Sequence, residues 1–188
     1  MAQDLIGRVQ RLIVSPKAEW DAIDAESVEP QSVLIGYVAP LAAIPAIATV
    51  VGLGFLGPFA AGAAFQSALV SYVFALVWVF VFAFIINALA PTFGAEKNYR
   101  QAFKVAAYSP TAGWVAGVFM LIPVLSFLAL IGALYSLYLL FVGLPKMMKP
   151  PADKALVYTL AAIVVAILAS VLIGALVGLG PRAMSPTL

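Results

Sequence analysis

Residues Val105 to Leu144 read VAAYSPTAGWVAGVFMLIPVLSFLALIGALYSLYLLFVGL, forty positions without one charged side chain. A membrane helix needs about 20 apolar residues, so this stretch is too long for one crossing. Pro123 falls near its middle, and the reading is a tight hairpin of two spans, Val105 to Ile122 and Val124 to Leu144. Working outward, three more apolar stretches appear. Val33 to Leu56 carries Pro40 and Pro45, Phe65 to Ala90 is unbroken, and Leu156 to Leu179 is the last. The expected architecture is therefore an all-α membrane protein of five transmembrane helices. Interior prolines remove a helix hydrogen bond, which predicts kinks near Pro45 and Pro110. No ten-residue alternation of the β-barrel kind occurs.

Composition agrees. The 188 residues are 64% hydrophobic and 10% charged, with a mean hydropathy of +1.10, whereas soluble domains run near 45–50% apolar and about 25% charged. There is no His and no Cys. Disulfides, Cys/His metal sites, thiol nucleophiles and His-based acid–base catalysis are thereby excluded. A net charge of +2 is too small to suggest nucleic acid as a partner.

The cations test the count independently. Arg8, Arg11 and Lys17 precede the first span. Lys97, Arg100 and Lys104 flank the loop before the third, and Lys146, Lys149 and Lys154 lie between the fourth and fifth. With five spans these nine share one side, leaving Arg182 on the other, and the positive-inside rule places the N-terminus in the cytoplasm and the C-terminus outside. The division is a cytoplasmic amphipathic segment (1–32), a five-helix domain (33–179) and a short extracytoplasmic tail (180–188). A bacterial inner membrane is the expected location, and no cleavable signal peptide is expected.

In the first segment Leu5, Ile6, Val9, Leu12 and Ile13 recur at helical spacing. Ser15-Pro16 reads as an N-cap followed by proline at the first helical position. Two short amphipathic helices at the membrane surface are expected, the second bearing Trp20 and Ile23. Glu19, Asp21, Asp24, Glu26 and Glu29 read as a solvated face rather than a cation site. With six acids against three bases here, and six bases against two acids in the other cytoplasmic loops, the segment is also a candidate cap folded over those loops and held by charge. Asn98 with Gln101 resembles a capping box, and Lys104 is expected to snorkel.

Beyond Lys104 at an end, the spans hold no ionisable Asp, Glu, Lys or Arg, which disfavours proton coupling. No serine has a base in sequence reach, so catalysis is not expected and no cofactor is implied. Ala162, Ala166, Ser170, Gly174 and Gly178 place a small residue at every fourth position, a ladder for close helix contact, within the bundle or between copies. Asn87, Trp78, Trp114, Tyr108, Tyr135 and Tyr138 are candidates for a polar or aromatic pocket.

Four segments in order, SPKAEWDAI (15–23), YVAPLAAIPAI (37–47), GAEKNYRQAFKVAAYSP (94–110) and LYSLYLLFVGLPKMMKPPADKA (134–155), resemble the bacterial branch of the YIP family, membrane proteins named for interacting with Ypt/Rab GTPases. The resemblance implies a five-helix bundle with a cytoplasmic N-terminus. It marks Trp20, Pro40, Tyr108, Ser109, Pro110, Tyr135, Tyr138 and Gly143 as fold-defining, and carries no catalytic residues. Eukaryotic relatives bind Rab GTPases and carry longer cytosolic N-terminal regions than the 32 residues here, a departure that argues against carrying GTPase binding over. The resulting expectation is a non-enzymatic protein that organises or assists other membrane components through protein contacts. The alternative is an ion-uncoupled transport or lipid-handling protein acting as an oligomer. Expected partners are membrane lipids, a second copy and an unidentified membrane protein.

Overall fold

The computed structural model describes residues 2–55 and 58–179, with side-chain surroundings at 5–55, 62–122 and 124–175. The expected tail at 180–188 and the packing of Gly178 lie outside the described residues. All the described secondary structure is helical. Helices α1 (Ala2–Val14) and α2 (Pro16–Ala25) form the N-terminal segment. Ser15 occupies the N-cap of α2 with Pro16 at its first position, but its side chain makes no capping bond.

Helix α3 (Pro30–Val33) passes through a π-helical turn, Leu34–Val38, into α4 (Ala39–Gly54). Pro40 follows that turn. Lacking an N–H, it cannot complete an ordinary helical bond, and the wider turn absorbs the mismatch. The unbroken apolar stretch forms α5 (Pro58–Leu89), closed by a 3-10 turn. After α8 (Ala129–Met148) the last helix is α9 (Ala155–Leu179).

The leading half of the hairpin differs from the single helix expected. It is broken into α6 (Tyr99–Tyr108), α7 (Thr111–Ala116) and a 3-10 turn, Gly117–Leu121. Pro110 has no N–H to offer the preceding turn, so α6 stops before it. Ile122, which precedes Pro123, is extended (φ −119°, ψ 106°), as steric clash with a following proline ring demands. Four helical stretches are long and apolar enough to cross a membrane: Pro30–Gly54, Gly62–Phe93, Val124–Met148 and Ala155–Ala175.

The broken segment is packed tightly against α4 and α8. A side chain at Gly117 would collide with Pro45, and one at Gly132 with Ala112 and Ala116. Pro45 is thus seated in a groove that only glycine leaves open. The deepest packing lies toward the loop end, where Leu12, Trp20 and Ile23 join Val38, Ile86, Phe103, Leu139, Leu144 and Tyr158, all essentially inaccessible. The amphipathic helices thus lend Leu12, Trp20 and Ile23 to the core.

Candidate functional site

Polar chemistry concentrates where α1 and α2 meet α6 and α8. Trp20 is 0% exposed and stands against Gly143, where a Cβ would overlap the indole ring. Its ring meets Tyr108 edge-on at 6.3 Å, and Tyr108 meets Tyr37 at 4.7 Å. Tyr37 and Thr111 share a hydrogen bond of 2.8 Å. The guanidinium of Arg8 lies 5.3 Å from the centre of the Tyr108 ring, a cation–π distance.

Around this aromatic row each of the five carboxylates meets a cation. Glu19, 3% exposed, takes Arg11 at 2.6 Å and Arg8 at 3.8 Å, and Glu26 takes Arg8 at 2.5 Å. Asp21 pairs with Lys146, Asp24 with Lys149 at 3.4 Å, and Glu29 with Arg100 at 2.9 Å. The reading of this run as a solvated face is corrected. Its spacing along α2 turns part of it inward, and Glu19 is buried beside Arg8 while Arg11 covers it from the half-exposed side.

Lys104 is also corrected. Instead of snorkelling, it is 4% exposed and donates to the carbonyls of Ile23 and Glu26 at 2.9 and 2.5 Å. It thereby satisfies carbonyls that α2 leaves open at its C-terminus, where a cation is favoured. The capping box is half formed. Asn98 accepts from the Gln101 N–H at 3.2 Å, but the Gln101 side chain reaches across to Asp24 at 2.6 Å.

The six pocket candidates do not converge. Tyr108 borders a polar cleft of 320 Å³ with Arg8, Glu26, Ser32 and Tyr37. Trp114 borders a separate cavity of 210 Å³ with Thr49, Ser71 and Tyr72. Trp78 stacks on Phe74 at 5.5 Å and walls a groove of 410 Å³ between α5, α8 and α9, shared with Ser109, Pro110, Ser136, Ala166 and Ser170. Asn87 borders none of these; its buried carbonyl oxygen has no partner. Tyr135 and Tyr138 pair with each other at 5.4 Å, and Tyr135 donates to the Ile13 carbonyl at 2.7 Å, tying α1 to α8. A largely apolar groove of 450 Å³, bordered by Tyr72, lies between α4 and α5.

The small-residue ladder divides. Ala162 and Ala166 are buried inside the bundle, Ser170 donates to the Ile167 carbonyl at 2.8 Å, and Gly174 is exposed, with open space where a Cβ would stand. Sequence reasoning passed over Arg8, Glu19, Tyr37 and Thr111 as site residues. Arg8 and Glu19 were legible only as members of a charge count, and nothing in the sequence sets Tyr37 opposite Thr111.

A family model described as the Yip1 domain matches residues 11–173. No curated protein and no solved structure matches the chain.

Proposed function

The chain belongs to the Yip1-domain family and is a multi-pass membrane protein, and from that premise we propose a non-enzymatic organiser that assists other membrane components through protein contacts. One observation carries this reading: the ionisable side chains at the polar centre are spent on docking α1 and α2. Arg8 and Glu26, which border the polar cleft, are spent on each other. The docked segment instead makes a shaped, charged surface around the three loop regions. The nine cations on these elements favour five crossings, the broken α6–α7 segment making the third, with the N-terminus in the cytoplasm of a bacterium and the C-terminus outside. The exposed backbone at Gly174 offers a place for close approach of another helix.

Native mass spectrometry of the protein released gently from its own membrane tests the proposal. A stoichiometric second protein is the expected result. Release of the chain alone, or of a homo-oligomer carrying only lipid, would overturn it. The second reading, ion-uncoupled transport or lipid handling, is favoured by the apolar grooves of 450 and 410 Å³, and flux or lipid transfer in liposomes would be its signature.

A further inference from the structure

The groove between α5, α8 and α9 contains a polar feature that bundle packing does not explain. Ser109 is 3% exposed, borders the groove, and its hydroxyl has no hydrogen-bond partner. Burying a hydroxyl unsatisfied costs about 1–3 kcal/mol, so such a group calls for an explanation. Serines in helices commonly return their proton to a carbonyl one turn back. Thr111 does the equivalent, donating to the Tyr108 carbonyl at 2.6 Å, and Ser170 donates to Ile167. Ser109 does not. Ser136, which lines the same groove, accepts the Gly113 N–H at 2.8 Å, and among the described residues no acceptor takes its own proton. Two hydroxyl donors therefore border one apolar space without acceptors.

The remaining lining limits what could supply one. Phe74, Trp78, Phe82, Leu140 and Ile163 make the groove apolar, and no Asp, Glu, Lys or Arg borders it. A charged phosphate would be left unpaired there, at a cost far above any gain from two hydroxyls. Ser136 precedes Lys146 by ten residues along α8, about 15 Å at 1.5 Å per residue. If Lys146 marks the edge of the hydrocarbon layer, the groove lies well inside it. Water is scarce at that depth, which leaves the membrane's own uncharged lipids as the source of an acceptor oxygen.

We propose that this groove binds the carbonyl group of an uncharged lipid, its oxygen accepting from Ser109 and Ser136 while the chains lie along Trp78 and Ala166. The site goes beyond the organiser reading and stands or falls separately from it. Two lipid classes share the chemistry: a glycerolipid with ester carbonyls and a quinone with ring carbonyls.

The test uses the full chain in nanodiscs of ether-linked phospholipid, which carries no carbonyl. Dioleoylglycerol, its dialkyl ether analogue and decylubiquinone are titrated separately, with thermal stabilisation as the readout and quenching of Trp78 as a second for the quinone. Binding of the ester, the quinone or both is expected, and identifies the source. Ser109→Ala should weaken that binding about fivefold, the worth of one hydrogen bond, and Ala166→Phe should abolish it by filling the groove. Equal binding of the ether analogue, no response to any probe, or an unaltered response in Ser109→Ala would overturn the proposal. Because Ser109→Ala removes one oxygen without adding bulk, it serves even if Ala166→Phe fails to fold.

Discussion

Helices α1 and α2 at one end of the chain and α9 at the other are attached to the same bundle by different chemistry. The N-terminal pair is polar in composition, yet it is fastened by the buried Trp20, an ion cluster and the lysine that closes its last turn. Helix α9 has no charged residue and is fastened along one stripe, where Tyr158 donates to the Ile86 carbonyl at 2.6 Å and Ala162 is buried. Leu168, Val171 and Leu172 face outward. Hydropathy reports which segment leaves water. It does not report which segment is held in one place.

The largest expected effect breaks the first attachment. Trp20→Ala removes the ring that fills the space at Gly143 and should cost about 3–5 kcal/mol of docking. Protease cutting within residues 5–29 should rise sharply while α9 stays protected, and unchanged cutting would mean the segment is held elsewhere. Glu19→Gln comes next, at about 1–3 kcal/mol, because the buried carboxylate gives up its charge-assisted bonds to Arg11 and its charge beside Arg8. Hydrogen exchange across α1 and α2 measures it.

Within α9 the contrast can be sharpened. Ala162→Leu forces bulk into a filled stripe and should cost about 1–3 kcal/mol. Gly174→Leu should leave the melting temperature nearly unchanged, within about 0.5 kcal/mol. If it lowers the oligomeric state instead, the open face is a contact between copies.

The smallest effect is at Arg100, whose pair with Glu29 is well exposed at both ends. Arg100→Gln should cost less than about 1 kcal/mol. For the same reason, about 0.5 M salt should raise protease access to the N-terminal helices only slightly. A large rise would show that charge, not the apolar plug, holds them.

Much of the fold was legible because apolar runs announce themselves residue by residue. The stretches ending at Gly54, Phe93, Met148 and Ala175 were found within a few residues. The third was legible as apolar but not as broken, since a proline marks where a helix is weakened without saying whether neighbours hold it straight. Here the closeness of Gly117 to Pro45 and of Gly132 to Ala116 fixes the bent course.

The candidate site was legible in its ingredients and not in its arrangement. Trp20, Tyr108, Ser109, Gly143 and the acid–base imbalance were all visible. Convergence was not, because Lys104 meets α2 across about eighty residues of chain. A lysine near an apolar run reads as snorkelling until something covers it.

By itself, the sequence determined that this chain is helical, lives in a membrane and lacks His and Cys chemistry, because composition and hydrophobic runs act locally and need no partner. Only the tertiary structure decided that the polar N-terminal helices lend Leu12, Trp20 and Ile23 to the core and that Glu19 and Lys104 are buried. It also decided that Gly174, not Ala162, is open and that Ser109 faces a groove without a partner. Burial and pairing belong to pairs of distant residues, and no single position carries them.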